Sequence, residues 1–242
     1  MSSYINIKIG NWFFKNRSFI PLLMYLFATT YLVLSPSINN TNLKTEILFL
    51  LVSLCGLLIR FLVIGFVPKL TSGRNTKRQI AESLNSKGLY SLVRHPLYIG
   101  NFFMWLGIVL FIKNLIITII VILFFLIYYW FIIQAEENFL HAKFGSEFTE
   151  WKKNVPLCFP YKWNYKKNKV TFSIKKVLTR EYSGFYAIFI SFAYFDFLTE
   201  YIQENSITFF EFWGYCLIGS SVITLTLKTL KKHTNLLTTN RV

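Results

Sequence analysis

Arg94 and His95 stand directly before Pro96, at the water edge of a long apolar run that contains Tyr98 and Asn101. Proline suits the first turn of a helix, where its missing N–H costs nothing. Arg94 and His95 therefore lie beside the free N–H groups of a predicted helix start, an end that carries partial positive charge and suits an anion. Tyr98 and Asn101 are three apart, on roughly one helix face, and offer a hydroxyl and an amide. Gly88 and Gly100 allow close backbone approach. A second polar group, the pair Glu136 and Glu137, follows the next apolar run. Arg and His at one edge and two carboxylates at the other, with Tyr90, Tyr98 and Asn101 between, make a receptor for a zwitterion bearing an amino group, a carboxylate and hydroxyls. Plainer readings stand beside this one. Arg94 and the tyrosines also suit an interfacial anchor, and Lys or Arg from the following segment can answer the two carboxylates.

The elements that must position these groups are apolar and long. The chain is 54% hydrophobic and 19% aromatic over 242 residues, above the roughly 45–50% of soluble domains. Predominantly apolar runs at residues 19–35, 45–67, 97–112, 114–135, 182–202 and 207–227 predict an all-α, polytopic membrane protein of about six spans. The first run has no small-residue cleavage site after it and is expected to be a retained span, not a signal peptide. Residues 97–112 make about 24 Å of helix, short for a core of about 30 Å. With residues 114–135 they form a tight hairpin joined at Lys113 and Asn114, whose first arm starts below the surface. That hairpin brings His95 close to Glu136. Glu136 to Lys152 can continue as helix until Pro156 and Pro160, and residues 76–85 can form a short interfacial helix. Arg60 lies about 12 Å before Pro68 along the second span. It either snorkels to the surface or points into the site shared with Arg94 and His95.

Charge sets the expected topology. Loops at 1–18, 68–95, 136–180 and 228–242 are basic, whereas 36–44, 113–114 and 203–206 are nearly uncharged or acidic. By the positive-inside pattern, both termini face the cytoplasm in a cell inner membrane. The net charge of +15 sits in those span-flanking loops, which attraction to anionic headgroups explains without nucleic acid. Cys55, Cys158 and Cys216 show no metal-ligand spacing, and the three histidines are scattered, so no metal is expected. Cys55 and Cys216 read as small packing residues, and Cys158 as a loop thiol. The chain has no Gly-x-Gly, so a glycine-rich Rossmann site is not expected.

The run Gly88-x-Tyr90-x-x-x-Arg94-His95-Pro96-x-Tyr98-x-Gly100 is followed by Glu136-Glu137-x-x-Leu140-x-x-x-Phe144-Gly145-x-x-Phe148-x-x-Trp151-x-x-x-Val155-Pro156-x-x-x-Pro160. In this order and spacing it resembles the isoprenylcysteine carboxyl methyltransferase and phospholipid methyltransferase family, integral membrane enzymes that use S-adenosylmethionine. The resemblance covers about residues 70–160. It implies a cofactor site lined by Tyr90, His95, Pro96, Leu97, Tyr98 and Glu136, with Leu84 and Asn85 as the nearest matches for the loop that precedes them. Arg94 and Asn101 join that set from the residue reading above. Residues 1–68 are then two N-terminal spans, 69–162 the methyltransferase core, and 163–242 a basic linker, two more spans and a tail. The expected activity is methyl transfer to an amphipathic, lipid-like acceptor reached from the bilayer. Basic loops 68–95 and 136–180 close over the cofactor, and Arg60 is the candidate contact to the acceptor headgroup. If the acceptor is an amine a base is needed, and His95, Glu136 and Glu137 are the candidates. Two departures bear on the substrate. Prenylcysteine-specific members carry an arginine just upstream of the acidic pair, but residues 128–135 contain no basic residue here; and Phe148 and Trp151 stand where tyrosine is usual. The alternative is a nicotinamide-dependent membrane reductase of the sterol-reductase type. Those enzymes share a similar Arg-His-Pro but usually read Arg-His-Pro-Asn-Tyr, where this chain has Leu97.

Overall fold

The computed structural model describes residues 2–35, 42–68, 79–161, 163–168 and 170–237. Among the described residues, seven α-helices and one 3-10 turn make up the order α1 (Ser2–Asn16), α2 (Ile20–Leu34), α3 (Leu43–Phe66), the turn Gly88–Ser91, α4 (Pro96–Phe111), α5 (Leu115–Asn154), α6 (Ile174–Glu204) and α7 (Phe212–His233). The all-α expectation is borne out, and the apolar runs lie largely in helices, although the expected count of six spans is not confirmed. Helices α3, α5 and α6 are long and apolar enough to cross a membrane, and the α1–α2 pair, bent by 80°, makes a fourth if it is one span. This is an integral membrane protein. The expected polar turn at 36–44 lies mostly outside the described residues.

Local sequence explains where the helices start and stop. Asn42, Asn114 and Ser173 are N-caps whose side chains accept from Thr45 N, Ile117 N and Lys176 N, at 3.0, 3.0 and 3.4 Å. Each satisfies a backbone donor that the first turn leaves without an intrahelical partner. Helix α6 closes on Asn205 in the left-handed conformation (φ 52°).

Helix α4 packs along α3, where small residues let the backbones meet. A Cβ on Gly56 would lie 2.4 Å from Gly100 O, and one on Gly107 would lie 2.4 Å from Phe49 O. Ser53 Oγ donates to Met104 O at 2.9 Å across the same seam. The α4–α5 hairpin is present, but α4 packs more closely on α3 than on α5. The main core gathers Leu57, Val109, Phe111, Ile117, Ile188 and Phe192 between α3, α4, α5 and α6, and α7 seals it with Trp213. A second cluster, Phe14, Ile20, Tyr128 and Ile132, fastens the α1–α2 corner to α5. Residues 1–18 are thus not a simple loop: α1 is a helix laid on α5, where a Cβ on Gly10 would run into Phe131 O.

Three local expectations change. Residues 79–85 are irregular, not an interfacial helix, and 76–78 lie outside the described residues. Cys55 is exposed on α3 and packs in no core, while Cys216 packs against the main cluster. Helix α6 starts at Ile174, a full two turns before the expected span, so Arg180 and Glu181 are helical.

Helix α5 runs through the acidic pair as expected but breaks at Gly145 (φ 52°, ψ −118°). A side chain there would touch nothing, so the requirement is purely one of backbone conformation. The break turns residues 146–154 back toward the site, burying Phe148. Gly145→Ala is expected to cost about 1–3 kcal/mol of backbone strain. Lower thermal stability, together with solvent-exposed Trp151 fluorescence, would report the loss of this turn; an unchanged melting curve would remove the argument.

Candidate functional site

A cavity of about 490 Å³ opens where α3, α4, α5 and α6 meet the strap 79–94. Its wall contains Arg60, Leu84, Asn85, Tyr90, Arg94, His95, Leu97, Tyr98, Asn101 and Glu136. The residues singled out from sequence therefore converge on one space, with two exceptions. Pro96 is buried at the helix start behind the wall, and Glu137 lies on the far side of His95.

His95 is the N-cap of α4, in a conformation (φ −128°, ψ 61°) that leads into Pro96. Its ring is buried and lies parallel to Tyr98, 5.5 Å away with planes 13° apart. Nδ1 is 3.6 Å from Glu136 Oε2 and Nε2 is 3.3 Å from Glu137 Oε1. A ring with a carboxylate at each nitrogen is satisfied only when both nitrogens carry protons. Burial alone would lower its pKa, but hydrogen bonds to Glu136 and then Glu137 outweigh it and hold the value above the usual imidazole range. The arrangement favours an imidazolium at His95 that ties the two carboxylates together. Because the folded value is raised, the stabilisation is complete below the unfolded value of about 6.5 and is lost as pH rises through the folded value. We expect a carbon-13 titration of the His95 ring to show a midpoint above the ordinary imidazole value of about 6.5. A midpoint at or below it would contradict the two-carboxylate clamp.

The two acidic neighbours are divided between tasks. Glu136 faces the cavity and accepts from Tyr98 OH at 2.7 Å. Glu137 pairs with Arg94 Nη1 at 2.8 Å and Lys152 Nζ at 2.6 Å. Cations do answer the acidic pair, as the plainer reading held, but mainly at Glu137.

Arg60 does not snorkel. Its Nε and Nη2 donate to Glu181 Oε2 and Oε1 at 2.7 and 2.8 Å, a bidentate pair. Nη1 donates to Asn101 Oδ1 at 2.5 Å, and Asn101 Nδ2 donates to Tyr129 OH at 2.8 Å. Tyr129 leans on Tyr98, ring centroids 4.7 Å apart. A polar path thus runs from α6 through α3, α4 and α5 to Tyr98 and Glu136.

The strap and the second half of α5 close one wall. Trp151 Nε1 donates to Tyr90 O at 3.1 Å, Lys143 Nζ donates to Ala81 O, and Arg94 N donates to Pro156 O at 2.9 Å. Gly88 (φ 61°) holds a conformation that side chains rarely adopt, and a Cβ there would also displace the Asn168 amide. Burial pushes the Cys158 thiol up, with partial relief from Arg94, so it is no reactive thiolate.

Residues 47–147 match a family model described as phospholipid methyltransferase. That segment is similar to the family's members. Protein-S-isoprenylcysteine O-methyltransferase of Schizosaccharomyces pombe is 34% identical over 86 residues, covering 35% of this chain and 36% of that protein. The cobalt-zinc-cadmium resistance protein CzcN of Cupriavidus metallidurans is 37% identical over 78 residues, covering 32% of this chain and 36% of its own. The chain thus spans about a third of the length of these curated relatives. No solved structure matches. The resemblance read from the Arg-His-Pro and Glu-Glu motifs is borne out, and nothing favours a reductase.

The cavity also holds Trp151, which the motif contains, and residues that the motif reading missed: Phe14, Arg17, Gln79, Tyr129, Arg180 and Glu181. Glu181 had a signal, being the single acidic residue between Glu150 and Asp196. Arg17 and Gln79 had none, since only the folding of α1 and of the strap brings them here.

Proposed function

We propose that this protein transfers a methyl group from S-adenosylmethionine to an amphipathic, lipid-like acceptor at the cytoplasmic face of a cell membrane. The observation that carries this is the convergence of the motif residues on one cavity at the end of the apolar helices. The space of about 490 Å³ falls in the usual range for small-molecule sites, about 300–1,000 Å³. The lining fits a zwitterionic cofactor: it offers the Glu136 carboxylate and several arginines. Among the described residues, Gln79 Nε2 and Arg94 Nε are buried polar atoms with no hydrogen-bond partner. Such atoms are costly unless a ligand meets them.

Tyr90, Arg94, His95, Leu97, Tyr98, Asn101 and Glu136 would hold the cofactor, with Leu84 and Asn85 closing over it. When bound, the cofactor supplies an electrophilic methyl on a sulfonium sulfur. The protein's share is positioning. His95 and Tyr98 fix the Glu136 carboxylate against the cavity, and the strap excludes water. Glu136 is the carboxylate available to take a proton from an amine acceptor, since the arrangement favours a protonated His95 and Glu137 is paired elsewhere. A carboxylate acceptor needs no base. Arg60 has five N–H groups, of which Glu181 and Asn101 engage three. The remaining two are the proposed contact to the acceptor headgroup.

Calorimetric titration of the purified protein with S-adenosylhomocysteine, and separately with a nicotinamide dinucleotide, tests the reading. Binding of the first alone is expected. Incubation with methyl-labelled S-adenosylmethionine and a total membrane lipid extract should then label a lipid species. Binding of the dinucleotide alone would replace this proposal with the reductase.

A further inference from the structure

The segment after α5 is pinned to the cavity wall at both ends. Arg94 N donates to Pro156 O at 2.9 Å, Gly88 N donates to Lys166 O at 2.8 Å, and Lys166 N donates to Ser91 Oγ at 2.9 Å. Between the pins, Phe159, Tyr161, Trp163 and Tyr165 fall on every second residue and are 85%, 68%, 81% and 47% exposed. Lys166 and Lys167 are exposed beside them. Large rings dominate buried area wherever they can be covered, and here the pinned backbone holds four of them outward.

The position of this arc says what covers it. Pro156 is tied to Arg94, two residues before α4 begins, and Ser173 N, just beyond the arc, donates to Gly65 O at the end of α3 at 3.0 Å. The arc therefore lies where α3 ends and α4 and α6 begin, at the boundary between apolar helix and water. Tyr and Trp favour that depth, with the ring among acyl chains and the polar edge in water. Exposed lysines beside them complement anionic headgroups.

We propose that Phe159, Tyr161, Trp163 and Tyr165 dock on the anionic phospholipid surface at the cavity's end of the molecule, with the rings among the headgroups and Lys166 and Lys167 against phosphates. The arc then anchors the wall of the cavity to the bilayer surface, and this role is independent of what the cavity binds.

The full chain with Cys55→Ser, Cys158→Ser, Cys216→Ser and Trp163→Cys, labelled with an environment-sensitive fluorophore, tests this in nanodiscs. Discs of phosphatidylcholine alone are compared with discs that also contain phosphatidylglycerol. The expected result is blue-shifted emission, quenched by headgroup-level spin-labelled lipid, in the phosphatidylglycerol discs. Adding Lys166→Gln and Lys167→Gln should lower the docked-to-undocked ratio by up to about 25-fold, at about fivefold per surface lysine. A label that stays water-like and open to iodide in phosphatidylglycerol discs overturns the proposal. So does equal quenching in both discs that ignores the lysine substitutions. Protection already complete in detergent, with the mass of a dimer, would assign the arc to a second copy of the chain and also overturn it. Tyr165→Cys in the same background is the second reporter, should Trp163→Cys not yield folded protein.

Discussion

Glu181→Ala should destabilise the protein more than any change in the motif residues. Glu181 is 1% exposed and holds Arg60 with two hydrogen bonds of 2.7 and 2.8 Å. Removing it leaves a guanidinium among apolar helices with only the Asn101 bond still made. Breaking a buried pair from one side costs about 3–5 kcal/mol, because the surviving charge is uncompensated. Removing both charges need not be costly, since well-packed apolar replacements of buried pairs are often neutral. The expected order of thermal stability in detergent is therefore wild type close to Arg60→Met/Glu181→Met, with Glu181→Ala and Arg60→Met each far below. Arg60→Met also carries the substrate proposal: in the double variant, which restores stability, the apparent KM for a lipid acceptor should rise while S-adenosylhomocysteine affinity is kept. Equal stabilities across the four proteins would show that the pair carries nothing, and an unchanged KM would remove Arg60 from the acceptor site.

The second large effect concerns the cofactor. Glu136→Gln and His95→Ala should each weaken S-adenosylhomocysteine binding by roughly five- to 150-fold, the equivalent of about 1–3 kcal/mol for one polar contact to a partly buried ligand. The two act differently. Glu136→Gln preserves shape and removes the charge that faces the cavity, whereas His95→Ala removes the cation between Glu136 and Glu137. Two carboxylates left facing each other without it repel, so His95→Ala should also make binding pH-dependent in the range where a carboxylate takes up a proton. Tyr98→Phe, which removes the 2.7 Å bond to Glu136, should fall between wild type and Glu136→Gln. Calorimetry on folded variants is the measurement, and unchanged affinity in both principal variants would refute the site.

Sequence alone determined the parts of this protein that depend on neighbours along the chain. Apolar runs long enough for the bilayer dictated an all-helical membrane protein, because backbone groups in lipid must bond within their own segment. The stretch from Arg94 to Asn101 specified its own local geometry: a proline at the first helical position, with polar groups one turn apart on one face. Even the meeting of His95 with Glu136 was legible, since both stand at the ends of one hairpin. Tertiary structure alone decided the rest. Arg60 and Glu181 are 121 residues apart, and they meet only where α3, α4 and α6 pack together. No local pattern encodes that pairing, so the fate of the Arg60 guanidinium stayed open until the helices were packed. The same holds for Arg17 and Gln79, which reach the cavity through an 80° bend and an irregular strap. The split between Glu136 and Glu137 is likewise tertiary: adjacent helical residues point about 100° apart, and only the position of His95 between them decides which carboxylate faces the cavity and which is held by Arg94 and Lys152.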